Sequence, residues 1–294
     1  MKSKIALINY TIQQQTLEFV VVVTSFKIIE SFKMILLMLL LLLCFVILCY
    51  KLKIGTVKKR IALYTIITGD YESHVREKFP LKMMPMLEAA YVVTDCRFIE
   101  ADAKKKGWDC IFVNKSENSK KTQRKMKVLQ NFHPDLHMLN EYDIIIYIDG
   151  NCGLSSIPKL ENAINEVHKH DIICFDHPVR KTSKAELETV LNLKLISKDA
   201  YVKVKTVFEE SKYPDNIGLS ETRVLLRNNN DNVNQFCTEW INNMMNAKCY
   251  RDQIFFEYAL WKHKTSFKRM KNDDFPFETK GGHYDKNRMR TNIT

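Results

Sequence analysis

The sequence predicts an α/β domain built on a largely parallel sheet, and three observations predict it. Unbroken apolar runs of strand length recur between residues 60 and 226, helical stretches alternate with them, and several of the runs stop abruptly at a polar pair or triplet. Strands covered on both faces read as continuous apolar runs, and parallel neighbours need a crossover, usually a helix, between them.

The elements follow in order. Residues 60–69 (RIALYTIITG) form a first strand that ends in Thr-Gly, and residues 89–95 (AAYVVTD) a second. Residues 108–113 make a third, and residues 120–139 read as one basic amphipathic helix. Residues 143–149 (DIIIYID) are the most hydrophobic strand and halt at Asp149, Gly150 and Asn151. Residues 158–168 are helical, 171–175 a strand, 184–210 one long helix and 218–226 a strand. Helices at 231–245 and 251–263 close the pattern, and from Lys264 the chain reads as polar and irregular, a loop over a site or a tail.

Ahead of this domain, residues 34–50 (MILLMLLLLLCFVILCY) carry no charge and lie between Lys33 and Lys51. A soluble helix keeps a polar stripe and this run keeps none, so it is expected to cross a membrane, although 17 residues stand at the short end for a span. The expected organisation is a tail over 1–33, a transmembrane segment over 34–50, a basic stem over 51–59, the α/β domain over 60–265 and an irregular segment over 266–294. Met34 would serve as a start as well as Met1. Orientation stays open: lysines are denser after the span, whereas an N-terminal signal-anchor of the endoplasmic reticulum or Golgi places the catalytic part in the lumen. Asn114-Lys115-Ser116 is a glycosylation sequon that fits the lumenal choice.

Composition narrows the function. With 46% hydrophobic and 27% charged residues the chain is neither disordered nor multi-span. The net charge of +11 is divided roughly equally between the first 59 residues and the rest, and no Lys/Arg tract is interleaved with aromatics, so no nucleic-acid partner is expected. Eight cysteines are too few for a disulfide scaffold; the six outside the span show no CxxC and read as small buried residues, with room for one or two disulfides. The absence of GxGxxG, GxxxxGK[ST], GxSxG and HExxH argues against dinucleotide, P-loop, serine-hydrolase and zinc-protease chemistry.

Open α/β sheets bind ligands beyond the carboxyl ends of their strands, where polar residues gather in this chain. Asp149 and Asn151 flank Gly150 at such an end, a pattern that holds a hard divalent cation or makes a plain turn. Arg251, Asp252 and Gln253 open a helix, where an acid also suits the dipole. Asp176, His177 and Arg180 put an acid, an imidazole and a guanidinium within five residues. Arg124 and Lys127 share a helix face that suits either phosphate or solvent. Thr94, Asp95 and Glu221 are lesser candidates.

The order of these motifs says more than any one of them. YTIITGDY (64–71), VTD (93–95), GW (107–108), RKMK (124–127), YDIIIYIDGN (142–151), DHPVR (176–180), LSETRVLLR (219–227) and RDQIFFEY (251–258) together resemble a glycosyltransferase-like family of plants and microbes. That family includes the turgor-regulation-defect and mucilage-related hexosyltransferase proteins, and the likeness runs from about Arg60 to about His263. The resemblance implies a GT-A-like, Rossmann-like nucleotide-diphospho-sugar transferase domain. It implies that Asp149 and Asn151 stand for the family's Asp-x-Asp metal and diphosphate motif, with Mn²⁺ or Mg²⁺ as cofactor and one carboxylate fewer than the pattern. Thr68 and Asp95 would approach the base and ribose, Arg124 and Lys127 the diphosphate, and Asp252 and Gln253 the sugar or acceptor, with Asp252 the base of an inverting transfer. His177, Arg180 and Arg251 would line the same cleft, and His283 would add a late metal or diphosphate contact. The donor would be a nucleotide-diphospho-sugar and the acceptor a glycan, protein or lipid. Two other readings stay open: a lipid-amide hydrolase, as one branch of the family is described, and a non-catalytic sugar binder.

Overall fold

The computed structural model describes residues 33–46, 59–69, 72, 74–75 and 85–279. They fall in two units, divided after Lys58. In the first, residues 33–46 form helix α1, whose side chains are all exposed, Leu36 and Met38 by more than 60%. The predicted span continues to residue 50, outside the described residues. No helix among the described residues is long and apolar enough to cross a membrane.

The second unit is built on a seven-stranded sheet. Its strands are β1 (Ile61–Ile67), β2 (Ala89–Thr94), β3 (Asp109–Phe112), β4 (Ile144–Asp149), β6 (Ile172–Asp176), β7 (Ser220–Asn228) and β8 (Phe267–Met270). They lie in the order β3-β2-β1-β4-β7-β6-β8, with every neighbour parallel except around β7, which runs against β4 and β6. The strand order reverses between β1 and β4, the Rossmann-like switch point of an open sheet.

Alternation along the central strands sends side chains to two cores. Tyr64, Ile66, Ile145 and Tyr147 pack with α3 (Ser119–Leu129), α5 (Ser183–Asn192), α6 (Lys198–Glu210), α7 (Asp231–Asn246) and α8 (Asp252–His263). Leu63, Ile67, Ile146 and Ile148 pack with α2 (Arg97–Lys105) and α4 (Ile157–Val167). Each fully buried isoleucine on these strands contributes about 1.5–3 kcal/mol. The innermost helix is α8, buried from Asp252 to Leu260.

Three expectations are corrected. The helix over 120–139 stops at Leu129, where Gln130 turns with φ 44°, and 3₁₀ turns carry the chain to Glu141. The helix over 184–210 is two, broken around Lys194 in the left-handed region and restarted by the Ser197 hydroxyl, which accepts from Ala200 N–H. The stretch from 266, expected to be irregular, supplies β8 to the main sheet and β9 (Phe277–Thr279), which pairs antiparallel with the unforeseen β5 (Cys152–Leu154). Residues 280–294 lie outside the described residues. Among the described residues every cysteine is free; Cys152, Cys174, Cys237 and Cys249 are buried.

Candidate active site

The carboxyl ends of β1 and β4 meet because Ile66 pairs with Asp149, which sets Thr68 and Gly69 beside Asp149 and Gly150. Gly69 has φ 65°, and a Cβ there would stand 2.4 Å from Ser119 Oγ. Only glycine lets the end of β1 lie against the first residue of α3. The antiparallel β7 begins where its neighbours end, so Glu221, Thr222 and Arg223 arrive at the same edge. The start of α8, the start of α3 and the loop after β6 close the ring around a cavity of about 520 Å³.

Lys127 lines that cavity and is the centre of its ion pairs. Its ammonium is 1% exposed and lies 2.5 Å from Asp252 Oδ2, 3.3 Å from Asp149 Oδ1 and 4.8 Å from the centre of the Tyr147 ring. Asp252 Oδ2 also faces Arg124 Nη1 at 3.2 Å and accepts from the Thr222 hydroxyl at 3.0 Å. Asp149 Oδ1 accepts from the Tyr147 hydroxyl at 2.6 Å. Burial would raise the Asp252 carboxyl, but Arg124 and Lys127 outweigh it and hold the group well below the usual carboxylate range.

Around this centre the wall is cationic. Lys120, Arg124 and Lys127 recur along one face of α3, and Arg180, Arg223 and Arg251 stand across from it. The Lys120 ammonium is held below its usual range, by desolvation first and then by Arg124 and Arg251, the sign of positive charges gathered in one place. Behind the wall Glu186 of α5, fully buried, pairs with Arg180 Nε and lies 3.6 Å from Arg251 Nη2. His177 Nδ1 accepts the backbone N–H groups of Val179 and Arg180, and burial, followed by Arg180 and Arg223, pushes the imidazole down to about 4, so it is neutral at pH 7. Glu221 is buried; its Oε1 accepts from Arg223 N–H at 3.2 Å and Gln253 Nε2 at 3.4 Å, and desolvation raises its carboxyl. The Thr68 hydroxyl, buried in the wall, has no hydrogen-bond partner among the described residues.

The structure thus brings together Thr68, Arg124, Lys127, Asp149, Asn151, His177, Arg180, Arg251, Asp252 and Gln253. Asp95 is the correction: it does not line the cavity, and its Oδ1 instead accepts Gly69 N–H at 2.9 Å, bracing the loop after β1. His283 lies outside the described residues. Glu186 was missed because an acid inside a helix reads as a solvated face, and the arginines it holds are six residues before it and 65 after. In the sequence Tyr147 reads only as part of an apolar strand, and Arg223 only as part of a motif.

The residues present do not make a ready divalent-ion site. The nearest donors at the end of β4 are one carboxylate, already facing an ammonium, and the Asn151 amide. Among the described residues no group of three or more His, Cys, Asp or Glu stands close enough to hold a metal.

No family model matches the chain, and no curated protein is similar to it in sequence. Among solved structures it is similar to CMP:2-keto-3-deoxy-manno-octonic acid synthetase complexed with CTP, at 10% identity and a TM-score of 0.41, over 80% of this chain and 96% of that one. It is similar to 4-diphosphocytidyl-2C-methyl-D-erythritol synthase of Anaerococcus prevotii, at 11% and 0.41 over 74% and 92%. It is also similar to mouse xyloside xylosyltransferase 1 in its apo form, at 14% and 0.37 over 72% and 85%. These overlaps are loose.

Proposed function

We propose that this chain is a GT-A-like glycosyltransferase that moves a hexose-type sugar from a nucleotide-diphospho-sugar to a glycan, protein or lipid acceptor. The observation that carries this reading is the cavity at the switch point of the sheet, into which two helix N-termini and a cluster of lysines and arginines converge. Helix N-termini and guanidinium groups are the usual partners of phosphate oxygens. A volume of about 520 Å³ is that of a small-molecule site.

In the proposed reaction an acceptor hydroxyl oxygen attacks the anomeric carbon, the bond from that carbon to the diphosphate oxygen breaks, and the nucleoside diphosphate leaves with the electron pair. Lys127, Arg124 and Arg251 oppose the charge that grows on the leaving oxygen. For an inverting transfer the hydroxyl proton goes to Glu221 rather than to Asp252. Asp252 is already committed to two cations and a hydroxyl, whereas the raised carboxyl of Glu221 is nearer the range of a working base. Gln253 supplies a neutral hydrogen-bonding group to the sugar or acceptor, His177, whose ring nitrogens face Val179, Arg180 and the Arg180 guanidinium, shapes the loop beside it, and Thr68 is directed to the nucleoside. The apolar run 34–50 anchors the protein in a membrane of the endoplasmic reticulum or Golgi, with this domain in the lumen.

The test is a panel of radiolabelled nucleotide sugars offered to the full chain in detergent, read for transfer and for donor hydrolysis. Release of sugar from one donor class, inhibited by the matching nucleoside diphosphate, is expected. Absence of turnover together with absence of nucleotide binding at millimolar ligand would remove the reading.

A further inference from the structure

Two carboxylates carried by different elements, Asp149 at the end of β4 and Asp252 at the start of α8, point at one spot, and an ammonium fills it. Lys127 Nζ lies 3.3 Å from the first and 2.5 Å from the second, buried to 1% exposure above the face of Tyr147. A divalent ion in such a place would be surrounded by oxygens. Here the oxygen that each acid turns to that spot is taken: Asp252 Oδ2 meets Lys127, Arg124 and Thr222, and Asp149 Oδ1 meets Lys127 and Tyr147. A second cation brought to the same oxygens would meet two fixed positive charges at close range, in a setting that screens them poorly.

The charge that a diphosphate requires is meanwhile present around the same cavity. Lys120 and Arg124 stand on α3, whose N-cap Asn118 accepts Lys121 N–H at 3.0 Å, and Arg251 caps α8. The three line the cavity with the first turns of both helices, where backbone N–H groups add positive potential. Glu186 holds Arg251 and Arg180 from behind, so these side chains are placed before any ligand arrives.

We propose that Lys127 is a built-in substitute for the divalent ion, and that the donor diphosphate is held and discharged by Lys127, Arg124, Lys120 and Arg251 without a metal. This rests on the donor reading above and adds to it that donor binding is metal-independent. Asn151, where the resemblance implies a second acid, agrees with it: with a lysine supplying the charge, a second carboxylate at the end of β4 has no ion to hold.

The experiment is isothermal titration of the full chain with UDP, GDP, CDP and ADP, each in EDTA and again in Mn²⁺. The expected result is one nucleotide whose Kd differs by less than about threefold between the two buffers. Binding that tightens more than about tenfold with Mn²⁺ would overturn the inference and leave the donor reading standing. No binding by any nucleotide in either buffer would overturn both. A readout independent of nucleotide is the melting temperature of Lys127→Ala against the wild type. Removing the ammonium leaves two carboxylates converging on its place, so Mn²⁺ is expected to raise the Tm of the variant and not of the wild type. An equal rise in both would show that Lys127 does not occupy the ion's position. The wild-type titration decides the matter without the variant should Lys127→Ala not fold.

Discussion

At the scale of single residues, two of the buried carboxylates that line the cavity, Asp252 and Glu221, have opposite fates. Desolvation acts on both and raises both. At Asp252 two cations within 3.2 Å overcome it, and the group stays ionised far below neutral pH. At Glu221 the Arg223 guanidinium, with Nε 3.2 Å from Oε1, does not, and the carboxyl remains above its ordinary value. A base must be deprotonated to work, so activity should fall as pH drops through the raised value of Glu221, above 4.5. Glu221→Gln is expected to lower kcat by about 10²- to 10⁴-fold and to remove that acidic limb from what activity remains. Asp252→Asn should act differently: it strips a buried ammonium of its nearer counter-charge, so it should cost roughly 3 kcal/mol of stability and leave the acidic limb where it was. Measuring kcat against pH for both variants, with urea unfolding alongside, separates the roles. An acidic limb that survives in Glu221→Gln and vanishes in Asp252→Asn would return the base to Asp252.

At the scale of elements, α3 matters most, because its face carries Lys120, Arg124 and Lys127, and its far end is gripped by Arg227. That guanidinium is wholly buried and donates to Lys127 O at 2.8 Å and Val128 O at 2.9 Å, and the Tyr64 hydroxyl adds a bond to Lys127 O at 3.2 Å. Its hydrogen-bond partners are carbonyls, a hydroxyl and a thiol rather than carboxylates; a cation at a helix C-terminus is met by the last-turn carbonyls. Arg227→Met keeps the bulk and removes these bonds, so it should cost about 3 kcal/mol and lower Tm by roughly 6–12 °C, with weaker nucleoside-diphosphate binding because Lys127 shares the freed turn. A variant that melts like the wild type would show the clamp to be idle. The sequence announces a basic helix here but not where it ends, since the plug comes from β7, 100 residues away from Lys127. The same limit applies elsewhere. The central strands were legible because burial on both faces leaves unbroken apolar runs. β5, β8 and β9 were not, because three or four mixed residues carry no period and owe their pairing to partners far along the chain. The strand-end acids and DHPVR pointed to the cavity, since topology alone sends strand ends to one edge. That Lys127 is a buried ion-pair centre, and that Asp95 braces a loop, depended on side chains meeting across elements.

At the scale of the whole domain, one ionic link joins the innermost helix to the strand that completes the sheet. Glu257 of α8 is fully buried and lies 2.5 Å from Arg269 of β8, which also donates to Ser220 Oγ at 3.0 Å and Ile217 O at 2.7 Å. It thus ties helix, edge strand and the start of β7, the strand that carries Glu221. Burial pushes the Glu257 carboxyl up to about 7, even though Arg269 pulls it down. A carboxyl raised in the folded state binds more protons there than in the unfolded chain between pH 4.5 and 7, so stability falls as pH rises through that window, by roughly 3 kcal/mol in full. His177 has the opposite slope. Held down to about 4, it binds fewer protons folded than unfolded, and stability rises with pH between 4 and 6.5. The two slopes oppose each other up to pH 6.5, and above it Glu257 acts without that opposition. The wild-type Tm should therefore be nearly flat from about pH 4.5 to 6.5 and then decline through 7. Glu257→Gln, which cannot titrate, should rise over the first interval and stay level over the second, whatever fixed offset the substitution adds. Calorimetry on both proteins across pH 4–8 makes the comparison. A decline above pH 6.5 of equal size in the variant would place the titrating group elsewhere and reduce the Glu257–Arg269 pair to a contact with no pH dependence.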